Sequence, residues 1–133
     1  MNAEKDLSVL LRNLSPVLAD EEYVFISADG EYGDFARLEP ICTFREEEGL
    51  SLIVPRRKAI ESGHECSTAF RRITLLVNSS LDAVGLTAAV SKALADAGIS
   101  ANVVAACLHD HVFVPSNRAE DALDLLRLLG EPL

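Results

Sequence analysis

Histidine and cysteine side chains, the residue types that bind transition metals, are concentrated in two short segments of the chain. His64 and Cys66 form the first group, and Cys107, His109 and His111 form the second. Imidazole nitrogens and thiolates are good zinc ligands, so the two groups would supply a site if they converged. Convergence follows if the first and third strands of the second half are parallel neighbours, because both segments then lie at one end of the sheet. The spacings match no known zinc motif, so we expect no metal and no cofactor, and we interpret the second group as the closure of a tight hairpin.

Acids and bases are present without the motifs of catalytic sites. Asp110 and His111 are a potential acid–base pair, but the sequence places no nucleophile beside them. Nucleophile elbows, phosphate-binding glycine loops, dinucleotide fingerprints and zinc-hydrolase helices are all missing. Cys42 and Cys107 fall in predicted strands, where a free cysteine is usually a small buried apolar residue. The sequence therefore predicts a protein that is not an enzyme.

Composition and charge exclude several classes of partner. The chain has 133 residues, of which 49% are hydrophobic, and its formal net charge is −9. Such a charge opposes binding to nucleic acids and to anionic membranes, and no apolar run approaches the length of a membrane-spanning helix. Three widely spaced cysteines and the absence of an apolar leader indicate a reducing cytoplasmic location.

An internal repeat divides the chain into two related halves. The segment 49–59 recurs at 109–119, with valine, proline, a basic residue and alanine at the matched positions 54, 55, 58 and 59 of the first copy. In both copies an apolar run ends at the proline and a helical pattern begins. Proline suits this position because it lacks an N–H and fixes φ. We predict two halves, residues 1–65 and 66–133.

The sequence pattern of the second half predicts the order strand, helix, strand, strand, helix. Strand-forming residues occupy 70–77, a helical repeat of apolar residues leads to Gly98, a hairpin joins 101–107 to 111–114, and a helix follows over 119–129.

The first half predicts a similar order with its first helix reduced to a loop. Residues 4–14 have helical spacing, 23–27 form a strand, 28–34 form an acidic loop with two glycines, 39–45 and 50–54 form a hairpin, and 56–62 form a short helix. This order is typical of an α+β, ferredoxin-like plait, duplicated here with antiparallel sheets. No strand follows the last helix, so the fourth strand of the second half is either absent or donated from elsewhere.

One stretch of the second half resembles the ACT domain, a regulatory module of biosynthetic enzymes. The resemblance rests on Asp82-Ala-Val-Gly-Leu86, on Leu94-Ala-Asp-Ala-Gly-Ile99, and on the hairpin His109-Asp-His-Val-Phe-Val-Pro115. Val84 stands where the family often has proline. The whole chain is similar to a small bacterial family of tandem ACT-like proteins, and more distantly to the ACT halves of aspartate kinases and of the animal cytosolic arginine sensors. The resemblance implies a non-enzymatic sensor that binds a small molecule, usually an amino acid, forms a dimer or other homo-oligomer, and acts on a protein effector that the sequence does not identify.

The resemblance also implies where a ligand would bind. In this family the ligand lies beside the loop between the first strand and the first helix, usually at an interface, and that loop here is 78–86. Free N–H groups and the helix dipole at a helix N-terminus attract a carboxylate, and glycine allows close approach of the backbone. An ammonium group would be bound by Asp82 or, from the corresponding loop of the first half, by Asp29 or Asp34. The candidate ligand-binding residues are Asn78, Ser79, Ser80, Asp82, Val84, Gly85, Leu86, Asp29 and Asp34.

Three alternatives stay open at this point. Asn78, Ser80 and Asp82 are also residue types that cap a helix, with no ligand involved. The chain as a whole would also fit a structural interaction module that assembles through a bare sheet face or edge. A small metal-binding protein or enzyme using the histidines and cysteines is the third alternative.

Overall fold

The computed structural model describes residues 4–64 and 68–131, which form two compact units. The large unit contains the described residues up to Ala19 and from Arg71 onward, and the small unit is Asp20–Phe70. Among the described residues, no helix is long and apolar enough to cross a membrane.

The large unit contains the predicted order strand, helix, strand, strand, helix. These elements are β4 (Phe70–Leu75), α3 (Leu86–Asp96), β5 (Asn102–Ala105), β6 (Asp110–Pro115) and α4 (Ala119–Leu129), preceded by α1 (Leu7–Arg12) and the start of β1 (Pro16–Ala28). The predicted N-terminal helix over 4–14 is thus confirmed in a shorter form. It begins after Asp6, whose carboxylate accepts hydrogen bonds from the N–H groups of Ser8 and Val9.

Strand directions in the large unit correct one expectation. The strand order is β1-β4-β6-β5. Thr74, near the end of β4, lies 3.0 Å from Nδ1 of His111, near the start of β6, so these neighbours run antiparallel. The expectation of parallel neighbours is wrong because the helix crossover makes the first and second strands parallel, while the third lies between them and runs the opposite way.

The missing fourth strand of the second half is supplied by the beginning of β1. The N–H of Leu76 donates to the carbonyl of Ser15, and that of Val77 donates to the carbonyl of Leu14. The residue number rises from Leu76 to Val77 while that of the bonded partner falls from Ser15 to Leu14, so β1 and β4 are antiparallel. The plait of the second half is therefore completed by a segment from the other end of the chain.

Helices cover one face of the large unit's sheet. Ile73 and Leu75 of β4 and Val112 and Val114 of β6 are buried against them. The alternation of β6 therefore places Asp110 on this same covered face. The helical side chains in this core are Leu10, Leu86, Val90, Leu94, Ala119, Ala122, Leu123 and Leu126.

The small unit has the antiparallel strand order β2-β3-β1. β2 (Cys42–Glu46) and β3 (Gly49–Pro55) form the predicted hairpin, and α2 (Arg56–Glu61) follows. A 3₁₀ helix over Tyr32–Leu38 stands where the plait would have its first helix, so the segment predicted as a loop is partly helical. The core contains Val24, Leu38, Leu50, Leu52, Val54 and Ala59.

The two repeated prolines have nearly the same backbone conformation. Pro55 has φ −56° and ψ 133°, and Pro115 has φ −54° and ψ 137°. Each ends a strand and immediately precedes helical backbone, which is α2 in one case and a 3₁₀ turn leading into α4 in the other. The strand-proline-helix repeat is therefore confirmed.

The position of Cys107 differs from the prediction. Cys107 lies exposed in the turn between β5 and β6, so its expected burial in a strand is wrong.

Candidate functional site

A small cavity lies at the N-terminus of α3, within the large unit. Its volume is about 150 Å³. The loop before the helix and the first helical turn form one side, through residues 79–81, Ala83 and 85–87, while Ala105 and Asp110 contribute from the strands. Ala105 and Asp110 are paired in the β5–β6 ladder, so these two lining residues are direct neighbours.

The first turn of α3 presents backbone N–H groups without a side-chain cap. Its N-cap is Gly85, with φ +103° and ψ −16°, and no side chain of the described residues caps the helix. The first intrahelical bond here runs from the Ala89 N–H to the Gly85 carbonyl. The preceding N–H groups have no partner inside the helix and carry the positive end of its dipole, which suits an anionic group of a ligand.

Helix capping does not explain the polar residues of this loop. The hydroxyl of Ser80 accepts a hydrogen bond from the Asp82 N–H at 3.1 Å, and the Asn78 carbonyl accepts one from the Glu4 N–H at 3.0 Å. These contacts order the loop itself, whereas the helix starts at Gly85. The alternative that Asn78, Ser80 and Asp82 cap α3 is therefore wrong.

Asp110 is the residue of this cavity that sequence reasoning missed. Its side chain is 8% exposed, and it is the one buried charged or polar residue identified among residues 4–64 and 68–131. Its carboxylate takes part in no hydrogen bond or ion pair with the described residues. The carboxylate lines the cavity, so it would attract a cationic group that enters there. An acid at a core-facing position of β6, alternating with Val112 and Val114, is the signal that could have identified it.

The structure separates the predicted ligand residues into three sets. Ser79, Ser80, Gly85 and Leu86 line the cavity. Beside them, Asn78, Asp82 and Val84 belong to the same loop without lining it, and Val84 is 84% exposed. The other two, Asp29 and Asp34, lie in the small unit, where Asp34 accepts a hydrogen bond from the Glu31 N–H and orders the 3₁₀ helix.

The N-terminal segment holds the cavity loop in place. Glu4 donates its N–H to Asn78 and accepts from the N–H of Ser80 through its carbonyl, at 3.0 and 2.9 Å. Leu7 packs against Gly85 so closely that a Cβ added to the glycine would lie 3.0 Å from Leu7 Cδ2. The conformation of the loop therefore depends on glycine at position 85.

We expect Gly85→Ala to lower the free energy of unfolding by about 2–3 kcal/mol, since it combines a positive φ with a close contact. Gly98→Ala is the matched control, because Gly98 has φ +73° with no atom within 4 Å of an added Cβ. Gly98→Ala should lower the free energy of unfolding by about 1 kcal/mol, because it introduces backbone strain alone. Urea denaturation of both variants measures the difference. Equal losses would show that the contact with Leu7 does not constrain the loop.

The histidines do not form the metal group that the sequence suggested as an alternative. His111 packs beside the end of β4, so the argument from parallel strand starts fails. Burial lowers the pKa of His111, with further lowering from Arg72 and His109 against an opposing effect of Asp110, so the imidazole is neutral near pH 7. Cys66 lies outside the described residues and His64 lies in the small unit. Within the described ranges, no three histidine, cysteine, aspartate or glutamate side chains cluster closely enough to bind a metal ion.

Comparisons with known proteins place the chain in a family. Sequence profiles described as the ACT domain match residues 2–71 and 68–127. A crystal structure of a Vibrio cholerae protein of unknown function, described as a possible transport protein, is 47% identical, with a TM-score of 0.87 over 94% of this chain and 96% of that one. No protein with a curated function matches.

More distant structures share the fold. An Agrobacterium tumefaciens protein is 22% identical, with a TM-score of 0.65 over 82% of this chain and 81% of that one. The regulatory subunit of aspartate kinase from Thermus thermophilus, in a ligand-free form, is 15% identical, with a TM-score of 0.61 over 87% and 97% of the two chains. These matches confirm the α+β, ferredoxin-like fold in tandem. The chain is a member of the ACT-domain family, with two ACT domains in tandem.

Proposed function

We propose that this protein is a non-enzymatic regulatory protein that binds a free α-amino acid in the cavity at the N-terminus of α3. ACT domains and the aspartate kinase regulatory subunits support a regulatory, ligand-binding role. The observation that carries the proposal is the pairing of two complementary groups in one small cavity. These are the N–H groups of α3, which suit a carboxylate, and the buried carboxylate of Asp110, which suits an ammonium group.

The two groups that line the cavity are complementary to a zwitterionic ligand. A carboxylate at the first turn of α3 would accept backbone N–H hydrogen bonds and interact with the helix dipole. An ammonium group beside Asp110 would form a charge-assisted hydrogen bond with its carboxylate. An amino acid is the common metabolite that presents both groups on a single carbon.

Ligand binding can change the conformation of the N-terminal segment through the loop that lines the cavity. Residues 79 and 80 line the cavity and also pair with Glu4, which precedes α1. A ligand that fixes the loop would favour the conformation in which this N-terminal segment is docked, and such a population shift can be detected by a protein effector.

A thermal-shift series on the full chain tests the proposal. Free amino acids should raise the melting temperature by mass action, whereas their N-acetyl and carboxamide derivatives, each lacking one charge, should not. Sodium acetate and methylammonium chloride at the same concentrations control for salt. The proposal fails if no free amino acid shifts the transition at millimolar concentration, or if the neutralised derivatives shift it equally.

A structural assembly module is the second candidate, and an apolar surface of the small unit favours it. Phe25 and Phe44 are 44% and 68% exposed, and they border a groove of about 370 Å³ on the sheet face opposite the core of that unit. β2 is the edge strand of the small unit. Exposed apolar patches and strand edges are typical of interaction sites. A homodimer through this face would be compatible with amino-acid binding, so the two candidates require separate tests.

A further inference from the structure

We infer that the large unit has a second binding site, which takes a phosphate group on the sheet face opposite the helices. The site consists of Arg72 and Thr74 on β4, His111 on β6, and His109 in the hairpin before β6. It goes beyond the proposed function, because none of these four residues lines the cavity at the N-terminus of α3.

The alternation of two neighbouring strands brings polar side chains together on this face. Ile73, which lies between Arg72 and Thr74 on β4, is buried against the helices, so its two neighbours point the other way. Both neighbours of His111 on β6 are also buried. Oγ1 of Thr74 lies 3.0 Å from Nδ1 of His111, which confirms that the two strands present these side chains on the same face.

The hairpin before β6 adds a second imidazole. The N–H of Ala106 donates to the carbonyl of His109 at 3.1 Å, so the pairing of β5 with β6 continues one step beyond their ladder. Side chains alternate along a strand with period two, so His109 lies on the same face as His111. Arg72 and both histidines are partly buried. Charges at such positions are screened less by solvent than charges on an open surface.

The charge of this face is opposite to the net charge of the protein. The chain carries a formal charge of −9, yet Asp110 is the one acid among the described strand residues of the large unit, and it lies on the helix-covered face. An anion close to the surface interacts with the local field more than with the net charge. A guanidinium offers paired N–H donors that match phosphate oxygens, and an imidazole donates an N–H even when it is neutral. Arg72, His109 and His111 therefore suit a phosphate group.

Protonation of His111 would strengthen the site. The groups that act on this imidazole are Arg72 on β4 and, from its own segment, His109 and Asp110, whereas its partner on β5, Val104, carries no charge. Burial lowers the pKa of His111, and Arg72 and His109 lower it further against an opposing effect of Asp110. A bound anion favours the imidazolium, so binding takes up a proton. The affinity should therefore rise as the pH falls.

Isothermal titration of the full chain with sodium sulfate tests this site, because sulfate keeps both of its charges while the imidazoles titrate. We expect the dissociation constant to fall at least about threefold between about pH 8 and about pH 6. Sodium chloride at matched ionic strength controls for screening. Inorganic phosphate and methyl phosphate should also bind, and a preference between them distinguishes the free ion from a phosphate ester. Absence of binding by all three anions at millimolar concentration would overturn the inference.

Arg72→Gln and Arg127→Gln form a matched pair of variants. Arg127 lies exposed in α4, so each substitution removes one positive charge from the large unit and only the first removes it from the site. Arg72→Gln should weaken sulfate binding at least about tenfold, and Arg127→Gln by less than about twofold. Equal losses in the two variants would overturn the inference.

The double substitution His109→Gln and His111→Gln tests the link to protons and retains Arg72. It should abolish the increase in sulfate affinity at low pH, with circular dichroism confirming that the variant is folded. A pH dependence equal to that of the wild type would overturn the inference. Because this variant leaves the guanidinium in place, it also tests the site if Arg72→Gln does not fold.

Discussion

Replacing Asp110 with asparagine is expected to weaken amino-acid binding by about 100-fold or more, because it removes the buried negative charge that faces the ligand's ammonium group. Asparagine keeps the size and shape of the side chain, so the cavity retains its volume. The stability of the free protein should stay close to that of the wild type, because the substitution keeps the shape of the side chain and breaks no hydrogen bond or ion pair of this carboxylate with the described residues. Calorimetric titration with alanine and urea denaturation measure the two effects.

Asp82→Asn is the matched control for Asp110→Asn. Asp82 is an exposed acid in the same loop, and its side chain does not line the cavity. An exposed charge contributes little, so affinity should change by less than about threefold. The opposite result, with binding lost in Asp82→Asn and retained in Asp110→Asn, would reassign the ammonium partner to Asp82, one of the three acids that the sequence analysis proposed.

The parts of the fold that the sequence predicts well are those determined by local pattern. Leu86, Val90 and Leu94 recur at helical spacing, and the structure buries all three in one core. Pro55 and Pro115 have intrinsic backbone restrictions that give the same conformation in both copies. These features need no knowledge of distant contacts, which explains why the helices and hairpins of the second half are predicted nearly residue by residue.

The length of β1 is the clearest case that local pattern cannot predict. Its first residues include Pro16 and the acidic run Asp20-Glu21-Glu22, residue types that are poor strand formers on their own. Hydrogen bonds from Leu76 and Val77 to Ser15 and Leu14, just before β1, align this segment beside β4, and the beginning of β1 completes the plait of the second half. Pairing between segments far apart in the chain overrides intrinsic propensity, so the missing strand could be inferred as a gap but not located.

The sequence predicts the loop and the helix N-terminus that line the cavity, but it does not predict that Asp110 lines the cavity with them. The loop over 78–86 and the exposed helix N-terminus follow from Gly85 and from the resemblance to the ACT domain. Asp110 is distant in sequence and occurs beside His111, a context that indicated a hairpin turn or an acid–base pair. Its burial depends on which face of β6 is covered by helices, and that is a property of the packed large unit.

Replacing Phe44 with glutamate is expected to weaken self-association at least about 30-fold if the apolar face of the small unit is a dimer interface. Phe44 is 68% exposed in the edge strand, and its register partner on β3 is Ser51. A large aromatic residue at a strand edge is a typical anchor of an interface, and a carboxylate in its place would be desolvated without a partner. Sedimentation velocity over a range of protein concentrations measures the dissociation constant.

Ile60→Glu tests whether any apolar-to-acidic change on the small unit would have the same effect. Ile60 is 52% exposed on the surface of that unit, in α2 rather than in the sheet. Only the Phe44 variant should dissociate, and both should bind amino acids with wild-type affinity if the cavity of the large unit is self-sufficient. A wild-type chain that remains monomeric at high concentration would refute assembly through this face. Loss of amino-acid binding together with the dimer would instead mean that a second copy completes the cavity, because neither Phe44 nor Ile60 lines it.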